Sequence, residues 1–191
     1  MRNRNKTKEL TLTALLTALA IVIPMVMPVK VVMPPFTATL ASHTPLIIAM
    51  FVSPVAAAFA AIGSAIGFFF TFSPIVAARA ATHVFFTVAG AYMIRKNWNA
   101  ILVVAITLVL HSITDMATVY IAADWLGMGG LLNSQGMDVV QYTIGVGTSI
   151  HHLVDFLLAY LVMIPLSKAK LINPKLLWGG KKNRETVSSN Q

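Results

Sequence analysis

The sequence predicts an all-α integral membrane protein, a bundle of six transmembrane helices with both termini in the cytoplasm. Three observations carry that prediction. First, the 191 residues are 57% hydrophobic and only 10% charged, with a mean hydropathy of +0.78; a soluble domain carries roughly 25% charged residues. Second, the apolar residues fall into runs close to the length of about 20 residues that a helix needs to cross a bilayer. Third, the basic residues cluster at the ends of those runs, where they set orientation.

Breaks at Pro, Gly and charge divide the chain into its spans. The first runs from Leu10 to Met27, directly after the basic segment Arg2, Arg4, Lys6 and Lys8. That start resembles a secretory signal, but no small-residue cleavage site follows it, so a retained first helix is expected. A loop with Lys30 and Pro34–Pro35 leads to a short second span, Ala38 to Phe51, which carries Pro45. Its shortness predicts a tilted or partly re-entrant segment. A Ser53–Pro54 turn opens the third span, Val55 to Phe72. Ser73–Pro74 opens the fourth, which runs to Ile94, with proline near the first helical position, where its missing donor costs nothing. The fifth spans Asn99 to Ala123, and a Gly-rich connection from Asp124 to Gln141 precedes the sixth, Tyr142 to Leu166.

The charges test this count. With the N-terminus inside, the cytoplasmic segments are 1–9, the turn at Ser53, 95–98 and 167–191. They hold twelve of the fourteen Lys and Arg residues, leaving Lys30 and Arg79. Five or seven spans would put a basic cluster outside, against the positive-inside rule. Residues 1–172 thus form one membrane domain, and 173–191 a basic cytoplasmic tail. The net charge of +8 follows from these flanks and is no nucleic-acid signature. The chain has no cysteine, which excludes disulfides and thiolate metal sites.

Arg79 stands out against this background. It is a permanent cation inside an apolar span, where it costs at least about 2.5–3.5 kcal/mol on insertion scales. Either an internal carboxylate or an anionic substrate must offset that cost. His83, four residues on, shares its helix face. His111 with Asp115, and His151 with Asp155, repeat the spacing, and His152 is adjacent. His43 stands early in the second span, at a depth set by that span's tilt. Intramembrane ionisable groups face the protein interior or a wet cavity. Arg79 therefore either pairs with Asp115 or Asp155, or binds an anion in an outward-facing pocket. The two aspartates suit a polar network or substrate contacts better than proton carriage.

His and Asp four residues apart can also chelate transition metals. Arg79 would place a fixed cation beside such an ion, and most zinc sites need three or four converging ligands, so no metal and no cofactor are expected. Motifs for ATP hydrolysis and other catalysis are lacking: Gly179–Gly180–Lys181–Lys182 has neither the first glycine nor the hydroxyl of a phosphate loop, and neither H-E-x-x-H nor G-x-S-x-G occurs. If the chain pumps, another subunit supplies the energy. Small residues mark close helix approach: Ala14 and Ala18, extended by Ala20, in the first span, and Gly63 with Gly67 in the third.

Together, the six-span size, the basic N-terminus leading into an alanine-rich first helix, the Pro-rich stretch Val29–Pro35 and the segment Ala41-Ser-His-Thr-Pro-Leu-Ile-Ile-Ala-Met-Phe-Val-Ser-Pro54 with the small-residue helix after it resemble the substrate-binding subunit, or S component, of an energy-coupling factor (ECF) vitamin transporter. The resemblance covers nearly the whole chain. It implies a vitamin pocket near the outer face, closed by the loop between the first two helices, and docking of the Ala14–Ala18 face on a transmembrane coupling subunit that itself binds two ATPases. It implies as candidate substrate contacts Arg79, His83, His111, Asp115, Tyr120, Asn133, Gln135, Gln141, His151 and Asp155. Arg79 favours a carboxylate vitamin, and the chain most resembles the pantothenate type, with the niacin type second. Two rivals remain: a standalone proton-coupled carrier using the His/Asp pairs as a relay, and a membrane-embedded enzyme. Carriers of the first kind are larger or show inverted repeats, and no such repeat is visible in this sequence.

Overall fold

The computed structural model describes residues 2–33, 36–125, 127 and 137–172. Helix α1 (Arg2–Val26) leads into a hairpin of two short strands, β1 (Lys30–Met33) and β2 (Phe36–Thr39). The strands are antiparallel, pairing Lys30 with Thr39 and Met33 with Phe36. Five helices follow: α2 (Thr44–Val52), α3 (Pro54–Thr71), α4 (Pro74–Arg95), α5 (Ala100–Trp125) and α6 (Met137–Lys168). All but α2 are long and apolar enough to cross a membrane.

The second span departs from expectation. Only Thr44–Val52 is helical, about 14 Å at about 1.5 Å per residue, while Ala38 belongs to β2. The cause is local. Ala41 takes a left-handed φ of 63°, and the Ser42 and Thr44 N–H groups close turns onto Thr39 and Ala41 carbonyls. Pro45 sits in the first helical turn, where it starts a helix readily but cannot extend one backwards. The sixth helix is longer than expected, beginning at Met137 within the Gly-rich connection.

Helix α1 lies against α3 through the two glycines. A Cβ at Gly63 would stand 2.9 Å from the Thr17 carbonyl oxygen, and one at Gly67 would strike the Ile21 backbone. The small-residue pair in the third span thus serves close helix packing inside the molecule.

Two apolar clusters occupy opposite ends of the bundle. One joins α2, the first half of α3 and the second half of α4 to Leu16, Ala20, Ala159 and Met163. The other joins Phe36 of β2 to Phe68, Ile75, Val76, Val119 and Ile144. Near the first cluster the start of α1 meets the segment just after α6, where the Lys8 ammonium donates to the Lys170 carbonyl. The outward faces of the helices are apolar, with Phe70 71% and Ile101 78% exposed, as lipid contact requires.

Candidate functional site

Between the two apolar clusters lies a buried polar layer, built by two side chains from each of three elements and four from a fourth. The turn before α2 supplies Ser42 and His43; α4 supplies Arg79 and His83; α5 supplies His111 and Asp115; α6 supplies Thr148, His151, His152 and Asp155. All five histidines of the chain therefore converge. The ring of His43 stands 4.6 Å from that of His83, 4.7 Å from His111 and 4.6 Å from His151. The His83 and His111 rings are 4.7 Å apart, and Phe86 stacks under His111 at 4.7 Å.

Two carboxylates organise the layer. Asp115 pairs with Arg79, Nη2 to Oδ2 at 2.6 Å, and accepts from the Thr148 hydroxyl at 3.1 Å. Both charges are buried, so the pair sits where its members need each other. His111 Nε2 and His83 Nε2 face the same carboxylate at 3.7 and 3.9 Å, beyond hydrogen-bond reach. Asp155 acts differently. Its two oxygens accept the Ala41 and His43 N–H groups, each at 2.8 Å, and His43 Nδ1 lies 3.1 Å away. Asp155 thereby fastens the start of α2 to α6.

A small cavity opens within the layer. Thr37 of the hairpin, Ser42, His43 and Phe68 line it together with Arg79, His83, His111, Asp115, Thr148 and His151. Its free space of about 20 Å³ is room for about one water. The hairpin forms one wall: Phe36 packs against Gly147, where a Cβ would meet its ring at 2.8 Å, and Arg79 lies 5.9 Å from that ring.

The candidates named from sequence thus separate by position. Arg79, His83, His111, Asp115 and His151 line the cavity. Asp155 stands behind its wall, fully buried. Tyr120 and Gln141 hydrogen-bond each other away from it, and Gln141 is exposed. Asn133 and Gln135 lie outside the described residues. Sequence reasoning left out the cavity residues Thr37, Ser42 and Thr148, and named His43 without placing it among the substrate contacts. The signal for His43 was its place just before Pro45, which marks a helix start and therefore a break in the second span.

Fold and site together define a membrane-embedded helical protein with an enclosed, polar, ionisable centre near a hairpin. Over 92 residues the chain is 44% identical to the niacin transporter NiaX of Lactococcus lactis subsp. cremoris, a match covering 48% of this chain and 41% of that protein. The chain therefore spans less than half the length of the relative it matches. No family model matches the chain, and no solved structure does. A transporter relative and five apolar helices make it a multi-pass membrane protein.

Proposed function

We propose that the chain is the substrate-binding membrane subunit of an ECF-type importer and that its cargo is niacin. The observation that carries this is Arg79, a guanidinium held by Asp115 at the wall of a buried cavity, in a chain similar to a niacin transporter. The preference for pantothenate drawn from sequence finds no support, whereas niacin, the second choice, agrees with the relative's name. Nicotinate presents one carboxylate and a flat ring. The Arg79 guanidinium binds the carboxylate, while Asp115 and Thr148 hold that guanidinium in place. The imidazoles of His43, His83 and His111 and the Phe68 ring supply an aromatic surround. Because the cavity has room for about one water, a pyridine carboxylate enters only if the β1–β2 hairpin swings away. The hairpin then closes over the ligand.

On this reading six crossings place both ends in the cytoplasm, the Ala14–Ala18 face meets the coupling subunit, and two ATPases supply the energy. The cargo's charge gives the test. Replacing Arg79 alone would strand Asp115, so the informative variant is Arg79→Gln with Asp115→Asn, which keeps a neutral pair. A hydrogen bond to a charged group is worth about 1.5–3 kcal/mol, so nicotinate binding should weaken by about tenfold to a hundredfold while nicotinamide binding changes little. Equal losses for acid and amide in a calorimetric titration would overturn Arg79 as the anion anchor.

A further inference from the structure

We infer that His43, His83 and His111 hold a divalent transition-metal ion of the zinc, cobalt and nickel class, with the Asp115 carboxylate beside it. The ligand nitrogens of the three imidazoles lie within 4.8 Å of one another, and all three residues are buried. Zinc–nitrogen bonds of about 2.0–2.1 Å put tetrahedral donors about 3.4 Å apart, so each ring needs to close by less than about 1 Å. Imidazole nitrogen with carboxylate oxygen is a donor set for these metals.

A second observation comes from the hydrogen bonds behind His111. The Thr107 hydroxyl donates to the Val103 carbonyl at 2.8 Å, so its oxygen accepts from His152 Nε2 at 3.2 Å. A neutral His152 then has its lone pair on Nδ1, which lies 3.0 Å from His111 Nδ1 and accepts that atom's proton. The remaining nitrogen of a neutral His111, Nε2, therefore presents a lone pair to Asp115 Oδ2 across 3.7 Å. Two lone-pair atoms at that distance leave a place for a donor or a cation between them. Such a fixed outer partner is what metal-binding histidines use to set their tautomer.

Among the described residues, His83 Nδ1 and Asp115 Oδ1 are also buried without a hydrogen-bond partner, and orphaned buried groups of this kind call for an ion or a water. The layer holds two carboxylates against one guanidinium, and Arg79 is neutralised by its 2.6 Å contact with Asp115. The fixed cation that argued against a metal on sequence grounds is thus already paired.

The metal site does not depend on the vitamin reading, and its test leaves the vitamin out. The full chain is purified through a tag without histidine and dialysed against Zn²⁺ or Co²⁺. One metal per chain is expected, with the cobalt form showing the intense visible bands of a four-coordinate site. His43→Gln and His83→Gln should each weaken metal binding by about tenfold or more, and Zn²⁺ should raise the unfolding temperature of the unsubstituted chain. Sub-stoichiometric metal in the unsubstituted chain would overturn the site, as would one-to-one binding that survives both substitutions. The first of these readouts needs no variant to fold.

Discussion

Asp155 shows how one buried side chain sets the local path of the backbone. Its carboxylate takes the Ala41 and His43 N–H groups at the open end of α2, the end that carries a partial positive charge and free donors. That capture offsets the left-handed φ of Ala41, which costs a non-glycine residue about 1–2 kcal/mol. Asp155→Ala removes both acceptors, and each stranded donor costs about 1–3 kcal/mol. The substitution should therefore lower the unfolding temperature in detergent markedly, and Asp155→Asn, which keeps one acceptor oxygen, by less. A melting curve for Asp155→Ala that overlays the parent would show that the clamp contributes nothing. The four-residue spacings made part of this layer legible: His111 meets Asp115 and His151 meets Asp155 across single helix turns, at 3.7 and 3.6 Å. Asp115, one of the two aspartates open as a partner for Arg79, is the one the structure selects. The Asp155 clamp was not legible, because its partners are main-chain groups whose direction depends on a turn that no side-chain pattern encodes.

Helix spacing and charge marked the long spans, yet hydropathy could not distinguish a short helix from a strand followed by half a helix. Apart from His43, the stretch from Phe36 to Val52 is apolar or small enough to pass for either. Proline and a left-handed alanine decide between them, and only the first is visible as a letter. The outcome bears on topology. Lys8 reaches the Lys170 carbonyl, which puts the start of α1 and the end of α6 at one end of the bundle, as the proposed arrangement with an even number of crossings expects. On that proposal the crossing beyond the five long helices falls to β2 with α2. Non-helical backbone is tolerated at membrane depth where it is buried in protein or lines a cavity, and Thr37, Ser42 and His43 do line one. The cysteine-free sequence makes this testable with single cysteines. Val32→Cys, in the hairpin, should react with a membrane-impermeant maleimide added outside intact cells. Asn97→Cys, in the α4–α5 turn, should react only after the membrane is opened. Labelling of both from the same side would refute the six-crossing arrangement.

At the scale of the whole molecule, the helices differ in how much they bury, with the first and the sixth burying least. Only 17% of the most apolar stretch of α1 is buried, against 56% for α4. Leu16 and Ala20 of α1 turn inward, while Ala14 and Ala18 are exposed on the opposite side. Lipid would be served as well by leucine as by alanine. Small exposed residues at four-residue spacing instead allow another helix to approach closely, which suits the coupling subunit proposed above. The polar layer lies on the far side of that helix from the Ala14–Ala18 face, so on the proposed reading binding and coupling should separate under mutation. Ala14→Leu together with Ala18→Leu leaves the interior untouched, and surface changes of this kind usually shift stability within about 0.5 kcal/mol. Niacin uptake by cells that also make the coupling subunit and the ATPases should then be lost, while the purified variant binds niacin as the parent does. If binding fell with uptake, the alanines would be contacts of the fold itself. If uptake persisted, the coupling subunit would have to meet some other face.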